Sequence, residues 1–185
     1  MCKIKRVRLK FESIQQVVGN EELAVILLTD VQRARALSVV CDETLSRQLL
    51  LRLHSPEICK TMLPEALVQM LDGPHEMMVF GLHDGQYQVV LADSDFERTV
   101  RLRMSDAVLL SILSDIPLYI EDTLFRRQSV AFDEQAKGIA IPINAMDADR
   151  LNEALQSAIE KENYELASQL RDEIRRRKTT DDGQL

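Results

Sequence analysis

The last part of the chain contains two apolar series at helical spacing, separated by a short polar break. Apolar residues that recur every three or four positions are typical of an amphipathic helix. Asn163 lies in the break and tolerates the left-handed conformation in which many helices end. We therefore predict an antiparallel helical hairpin over residues 147–178. The residues of the two series are Leu151, Leu155, Ala158 and Ile159, followed by Tyr164, Ala167, Leu170 and Ile174.

A hairpin of this length cannot bury enough apolar surface to be stable alone. It must pack against its own domain, against a second copy of the chain, or against another protein. This requirement is typical of an interaction module.

An ordered set of residues runs through the second half of the hairpin: Glu162, Asn163, Tyr164, Glu165, Ala167, Leu170, Arg171, Asp172 and Ile174. This set resembles the UVR motif, the helical hairpin through which nucleotide-excision-repair subunits recognise one another. The motif also occurs in regulators of stress-response chaperones and kinases. Ser168 stands where the family often has alanine. The alternative is an amphipathic hairpin without this role.

The resemblance implies a UVR-type protein partner, contacted by Tyr164, Arg171, Asp172 and Arg175. On a helical wheel Arg171 borders the apolar stripe and Asp172 lies nearer the opposite face, so both are expected to be exposed. The basic residues at the end of the helix, Arg175 among them, have two interpretations. They can contact a partner or nucleic acid. Alternatively, their positive charges only stabilise the helix by interacting with the negative end of its dipole.

The front part of the chain is richer in strand patterns than in helix patterns. Residues 7–11 alternate apolar and basic side chains, and residues 23–29 form a continuous apolar run, which is typical of a central strand. Asp84-Gly85 supplies the positive φ angles of a tight hairpin turn between two further strands. This pattern predicts an α+β fold with a mostly antiparallel sheet and a few packed helices, followed by the helical hairpin.

We divide the chain into a front domain at 1–133, a linker or late edge strand at 134–146, the hairpin at 147–178 and a disordered tail at 179–185. The second segment includes the apolar stretch Ile139–Ile143. The front domain is long enough to form a core of its own.

Composition narrows the functional classes. The net charge of −7 does not provide the basic field of a strong nucleic-acid binder. No apolar run reaches membrane-spanning length, and the first residues lack the apolar segment of a signal peptide. Cys2, Cys41 and Cys59 have no metal-ligand spacing, which favours reduced thiols. These features predict a cytoplasmic protein that does not insert into membranes.

Two segments of the front domain carry a second resemblance. Residues 81–87 contain Leu82, Asp84, Gly85 and Tyr87, and residues 103–119 contain Arg103, Ser105, Asp106, Ala107, Pro117 and Tyr119. Both segments resemble the bifunctional nuclease family, which is named for DNase and RNase activity, and the similarity runs from about Lys3 to Phe125. Met104 replaces a proline that is usual in the family. Some members carry a UVR hairpin at the C-terminus.

The resemblance implies a nuclease that hydrolyses the phosphodiester bonds of DNA or RNA. Its catalytic residues would be Asp84, Arg103 and Asp106, with a divalent metal such as Mg²⁺ as cofactor, although the metal itself is not identified. Arg103 can hold a phosphate oxygen in bidentate fashion. Each residue also has a structural interpretation, since Ser105 and Asp106 lie where helix caps belong and Asp84 lies at a turn.

A basic stripe, Arg6, Arg8 and Lys10, lies on the first predicted strand. These three residues are candidate nucleic-acid contacts along a phosphate backbone. The alternative is a solvated strand face, because no aromatic residues alternate with them.

The chain departs from the nuclease pattern at several polar positions. Leu45 and Arg47 stand where Glu and Gln are common, and a His and an acid are absent around Met62. These changes favour a different class of function, a non-catalytic adaptor. In this alternative the front domain forms a homo-oligomer and the hairpin docks a partner.

Overall fold

The computed structural model describes residues 5–17, 20–93, 95–134, 143, 146 and 148–181 of the 185-residue chain. Within them, one sheet of eight strands has the order β6-β5-β4-β7-β1-β2-β3-β8. The strands are β1 (Arg6–Val17), β2 (Asn20–Asp30), β3 (Arg35–Asp42), β4 (His75–His83), β5 (Gln86–Asp93), β6 (Thr99–Leu102), β7 (Leu118–Glu121) and β8 (Val130–Ala131).

Seven helices complete the described part of the fold. They are α1 (Glu43–His54), α2 (Pro56–Cys59), α3 (Leu63–Met70), α4 (Met104–Leu113), α5 (Asp122–Gln128), α6 (Ala148–Glu160) and α7 (Tyr164–Asp181). The predicted α+β class is confirmed, with α6 and α7 as the C-terminal helical pair.

The sheet is mostly antiparallel. Six of the seven strand pairs in the described residues are antiparallel, and only β4 and β7 run parallel to each other. Met77 of β4 aligns with Leu118 of β7. Because a parallel pair needs a crossover connection, β5, β6 and α4 occupy the chain between these two strands. The crossover brings the start of α4 close to β5.

One hydrophobic core joins the sheet to the helices beside it. Ile26 of β2 and Val79 of β4 are fully buried, as are Leu49 of α1 and Val108 of α4. The continuous apolar run of β2 is explained by its place between β1 and β3. Asp42 caps the start of α1, because its Oδ1 accepts a hydrogen bond from the backbone N–H of Leu45 at 2.8 Å.

The prediction that Ser105 or Asp106 caps α4 is wrong. Arg103 is the N-cap residue, and no side chain among the described residues caps this helix end. Asp106 lies in the first turn instead, where its negative charge interacts favourably with the positive end of the helix dipole. The helix end therefore keeps backbone N–H groups that no side-chain cap of the described residues satisfies.

Other boundaries also differ from the sequence-based ones. Two short elements, α2 and β8, have no counterpart in the sequence-based prediction. The tail expected from residue 179 begins inside α7, which continues to Asp181. Residues 182–185 lie outside the described residues, as does most of the segment 134–146.

The terminal hairpin has a small core of its own. Leu151, Ala158 and Leu170 are buried together in a cluster that is separate from the core of the sheet. The turn differs from the prediction, because Glu162 rather than Asn163 adopts the left-handed conformation, with φ of 54°. Asn163 instead begins α7, where its Oδ1 accepts a hydrogen bond from the N–H of Leu166 at 3.2 Å.

Candidate functional site

A cavity of about 500 Å³ lies beside the ends of β3, β5 and β6 and the start of α4. Three arginines line it: Arg101 of β6, Arg103 before α4, and Arg150 of α6. Asp42 is the one acidic residue among its described lining residues. We call this cavity the arginine pocket. It joins the front domain to the terminal hairpin, since Arg150 belongs to the hairpin.

Arg103 and Asp106 form a bidentate ion pair at the edge of the arginine pocket. The guanidinium donates from Nε to Oδ2 at 2.7 Å and from Nη2 to Oδ1 at 3.1 Å. The pair spans one turn at the start of α4 and is partly open to solvent. The hydrogen bond to Asp106 raises the pKa of Arg103 above its ordinary value, so the guanidinium stays charged.

Asp84 lies in the β4–β5 turn and is paired with a different arginine. Its φ of 45°, together with the φ of 73° at Gly85, gives the two left-handed residues of a tight hairpin turn. Its Oδ1 accepts a hydrogen bond from Nη1 of Arg177 in α7 at 3.1 Å. Arg177 also donates to Glu173 at 3.0 Å. Asp84 therefore has both a turn role and a contact with the hairpin.

The three candidate catalytic residues are thus only partly brought together. Arg103 and Asp106 are in direct contact, whereas the carboxylate of Asp84 faces Arg177. Within the described residues, no group of three His, Cys, Asp or Glu side chains is placed to hold a metal ion. The side chains that the sequence suggested for Mg²⁺ do not form such a group, so we assign no chemical step to a metal.

The basic stripe lies apart from the arginine pocket. Arg6 forms an ion pair with Glu76 and places its guanidinium 4.1 Å from the ring centre of Tyr119. Arg8 and Lys10 are exposed and border a separate cavity of about 170 Å³ that also includes Asp115. The arrangement allows contact with an anion on this face, and a role in nucleic-acid binding stays a prediction.

The surface of the hairpin displays most of the residues suggested for partner binding. Tyr164, a member of the second apolar series, is 70% exposed. Arg171 and Asp172 form a 3.3 Å ion pair, and both side chains are largely exposed. Arg175 is exposed too.

A buried ion pair between α1 and α3 was missed from the sequence. Arg52 donates to both carboxylate oxygens of Glu65, at 2.7 and 2.9 Å, and to the side chain of Gln48 at 2.6 Å. The Arg52 side chain is only 2% exposed. The sequence contained a signal for the burial of Arg52, because this residue lies at helical spacing after Leu45 and Leu49, on the buried face of α1.

Two further residues that line the arginine pocket, Tyr87 and Cys41, were not predicted from the sequence to be functional. Tyr87 is buried, and its hydroxyl has no hydrogen-bond partner within the described residues. Cys41 is buried and free, and burial, followed by the charge of Asp42, raises the pKa of its thiol to about 11. A thiol with a raised pKa is a poor nucleophile near neutral pH.

Comparison with known proteins identifies the hairpin. No curated protein matches the chain. No helix in the described part of the chain is both long and apolar enough to cross a membrane. The family model described as the UvrB/uvrC motif matches residues 148–178, which coincide with α6 and most of α7. The terminal hairpin of this chain is therefore a UVR motif, a protein-interaction element.

Proposed function

We propose that the chain is an adaptor whose terminal hairpin docks onto a UVR-type hairpin of a partner protein. The observation that carries this proposal is the exposure of apolar side chains around the hairpin turn. Ile159, Tyr164 and Leu166 are 48%, 70% and 38% exposed, although the hairpin already has its own core. A partner that covers these side chains removes apolar surface from water.

Charge at the edge of this surface gives the docking an orientation. Arg171 and Asp172 are adjacent, opposite in sign and exposed. Charged groups at the rim of an interface contribute more to specificity and association rate than to affinity. A partner hairpin with the same pair of charges can place each one against its opposite.

Pull-down and light scattering with purified UVR-containing proteins, and with the chain itself, test the docking. Truncation of a buried aromatic contact commonly costs more than 1 kcal/mol of binding, so we expect Tyr164→Ala to weaken the complex by about ten-fold. Arg171→Glu should slow association and reduce its dependence on salt.

The control is Arg98→Glu, which makes the same charge change at an exposed residue of the front domain. Unchanged binding in both hairpin variants would contradict the proposal. Binding lost equally in the control would show a general charge effect rather than docking by the hairpin.

The same proposal assigns self-association to the front domain. Helices α1 to α3 expose six apolar side chains: Leu50, Leu53, Ile58, Leu63, Leu67 and Met70. Scattered apolar residues are normal on a surface, but a group of this size on neighbouring helices favours an interface. We expect a homo-oligomer by light scattering, and Leu63→Glu with Met70→Glu should shift it to monomer. A monomeric wild type would contradict this part of the proposal.

Phosphodiester hydrolysis is a second candidate, supported by a separate observation. Gly85 and Tyr87 from one nuclease-like segment line the same pocket as Arg103 and Ser105 from the other. In this candidate Arg103 holds a phosphate oxygen, and Asp106 keeps the guanidinium in place. The sequence departures at Leu45, Arg47 and Met62 are the reason that this candidate comes second.

Cleavage assays on single- and double-stranded DNA and RNA, with and without Mg²⁺, test the second candidate. If the chain is a nuclease, Arg103→Gln and Asp106→Asn should each lower the rate, by an expected 100-fold or so for loss of a charge-stabilising contact. Asp95→Asn, at an exposed turn outside the pocket, is the control. Absence of cleavage in the wild type, or full activity of both variants, would eliminate this candidate.

A further inference from the structure

We propose that the edge of the sheet at β6 binds an extended acidic peptide segment of a partner protein, which adds a strand beside β6. The surface consists of the end of the preceding turn and the strand itself, residues 96–102, and we call it the β6 edge. The inference goes beyond the adaptor proposal and the nuclease candidate, because it uses neither the hairpin surface nor the Arg103–Asp106 pair.

The backbone of β6 directs hydrogen-bonding groups away from the sheet. Within the described residues β6 is the terminal strand and pairs only with β5. The backbone N–H of Asp93 donates to the carbonyl of Arg98 at 3.3 Å, so these two residues form a hydrogen-bonded pair just before the strand. Hydrogen-bonded and non-hydrogen-bonded pairs alternate along an antiparallel ladder. The N–H and C=O groups of Thr99 and Arg101 therefore point away from β5.

The turn before β6 holds an aromatic side chain in solvent. Phe96 adopts the left-handed conformation, with φ of 57°, and is 55% exposed. Bulky residues rarely adopt this conformation. The Asp93 carbonyl fixes it by accepting a hydrogen bond from the N–H of Phe96 at 3.1 Å. The Asp93 Oδ1 also accepts from the N–H groups of Glu97 and Arg98, at 2.9 and 3.3 Å. The turn thus presents a preorganised aromatic contact for a partner.

Val100 extends an apolar face to the open edge of the sheet. It is aligned with Leu91 of β5, so the two side chains lie on the same face. Leu91 is buried, whereas Val100 is 58% exposed. A strand added beside β6 can place an apolar side chain next to Val100 and remove this surface from water.

The charges of the β6 edge favour an acidic occupant. Arg98 and Arg101 are exposed, and within the described residues neither side chain forms an ion pair. The chain as a whole has a net charge of −7, so the positive charge here is a local excess. Basic side chains on an edge strand oppose pairing with a second copy, which carries the same charges. An acidic strand is instead attracted by both arginines.

The backbone groups favour a peptide over nucleic acid. The outward groups of Thr99 and Arg101 include carbonyl acceptors as well as N–H donors. The phosphates of a nucleic acid offer acceptors only, so they leave the carbonyls without partners. A peptide strand supplies donors and acceptors in alternation, which is the basis of recognition by strand addition.

Fluorescence anisotropy on the full chain tests the proposal with a labelled octapeptide of alternating valine and glutamate. We expect saturable binding. Two control peptides should bind at least about ten-fold more weakly: one with lysine in place of glutamate, and one with two central prolines, which cannot donate ladder hydrogen bonds. Equal binding of the proline peptide would overturn the proposal, because it would show attraction by charge alone.

Substitutions at the β6 edge separate binding from folding. Thr99→Pro removes an outward N–H at the first residue of the strand, where proline is tolerated, and should weaken binding of the acidic peptide by about ten-fold. Arg101→Glu should weaken it by at least about as much. Phe96→Gly suits the positive φ, so the melting temperature should stay the same or rise while binding weakens. Arg127→Glu, the same charge change at an exposed residue of α5, should bind like wild type.

Amide hydrogen exchange measured by NMR locates the added strand. In the free chain the amides of Val100 and Leu102, which face β5, should be protected, whereas those of Thr99 and Arg101 should exchange quickly. The acidic peptide should protect the amides of Thr99 and Arg101. Absence of this protection would overturn the proposal, as would absence of peptide binding.

Three other results would also overturn it. Arg127→Glu could weaken binding as much as Arg101→Glu, which would show a general charge effect. Thr99→Pro could convert an oligomeric wild type to monomer, which would assign the β6 edge to a second copy of the chain. A single-stranded oligonucleotide could displace the peptide, which would assign the edge to nucleic acid.

Discussion

Arg177, in the last helix, donates a hydrogen bond from Nη1 to Oδ1 of Asp84 in the β4–β5 turn, 3.1 Å away. The two residues are far apart in sequence. Asp84 lies in the part of the chain that forms the core of the sheet, and Arg177 lies in the hairpin, which has a separate core. The contact therefore links the UVR hairpin to the sheet of the front domain. Arg177 is oriented for it by Glu173, one helical turn earlier.

Loss of this contact should loosen the hairpin without unfolding the front domain. Asp84→Asn retains a residue that tolerates positive φ, so the turn should survive. The Asp84 side chain is 56% exposed. Because an ion pair open to solvent on one side contributes only about 0.2–1 kcal/mol, we expect amide exchange in α7 to accelerate by roughly two- to five-fold. Hydrogen–deuterium exchange measures this. Asp72→Asn, at an exposed position, is the matched control and should leave exchange in α7 unchanged.

Breaking the Arg52–Glu65 pair should cost far more stability than breaking an exposed pair. Removal of Arg52 leaves the Glu65 carboxylate, which is only 14% exposed, without its cation. We expect Arg52→Ala to lower the free energy of unfolding by about 3–5 kcal/mol, measured by urea denaturation. The double replacement Arg52→Met with Glu65→Leu should recover most of the loss. Lys60→Ala, which breaks the exposed Lys60–Glu57 pair, serves as the control.

Stability should fall at alkaline pH because of Cys41. Burial raises the pKa of its thiol from 9.0 to about 11, so the folded state holds the proton that the unfolded state releases. The contribution is fully present below pH 9 and is lost as the pH rises through about 11. We expect a decrease on the order of 2 kcal/mol over this window.

Urea denaturation at several pH values measures the decrease. Burial also raises the pKa of Tyr87, which adds a loss of the same sign above its ordinary value of 10.0. Cys41→Ala isolates the thiol and should flatten the slope, with Cys59→Ala as the control for loss of a buried sulfur. An equal slope in wild type and Cys41→Ala would contradict the assignment.

The front domain should fold without the UVR hairpin. Its core cluster shares no member with the cluster of the hairpin among the described residues. We predict that a chain ending at Glu134 retains β8 and melts cooperatively, with a melting temperature within a few degrees of the full chain. Calorimetry measures this. A broad, uncooperative transition would show that the hairpin is an integral layer of the fold.

Features that depend on neighbouring residues could be predicted from the sequence. The Asp84-Gly85 turn and the terminal hairpin follow from the local preferences of a few residues, and both are present in the structure. The alternation in β1 and the apolar run of β2 likewise predicted their strands. Local preferences gave the wrong residue at two positions: Arg103, without a side-chain cap, precedes α4, and Glu162 adopts the left-handed conformation at the hairpin turn.

The tertiary structure alone decided which distant residues meet. Strand periodicity is the same for parallel and antiparallel neighbours, so the β4–β7 pair could not be read from the sequence. Likewise, the partner of Arg52, the partner of Asp84 and the meeting of Arg101, Arg103 and Arg150 depend on how the elements pack. A charged side chain has many potential partners along a chain, and only the packing of the sheet, the crossover helix and the hairpin selects one of them.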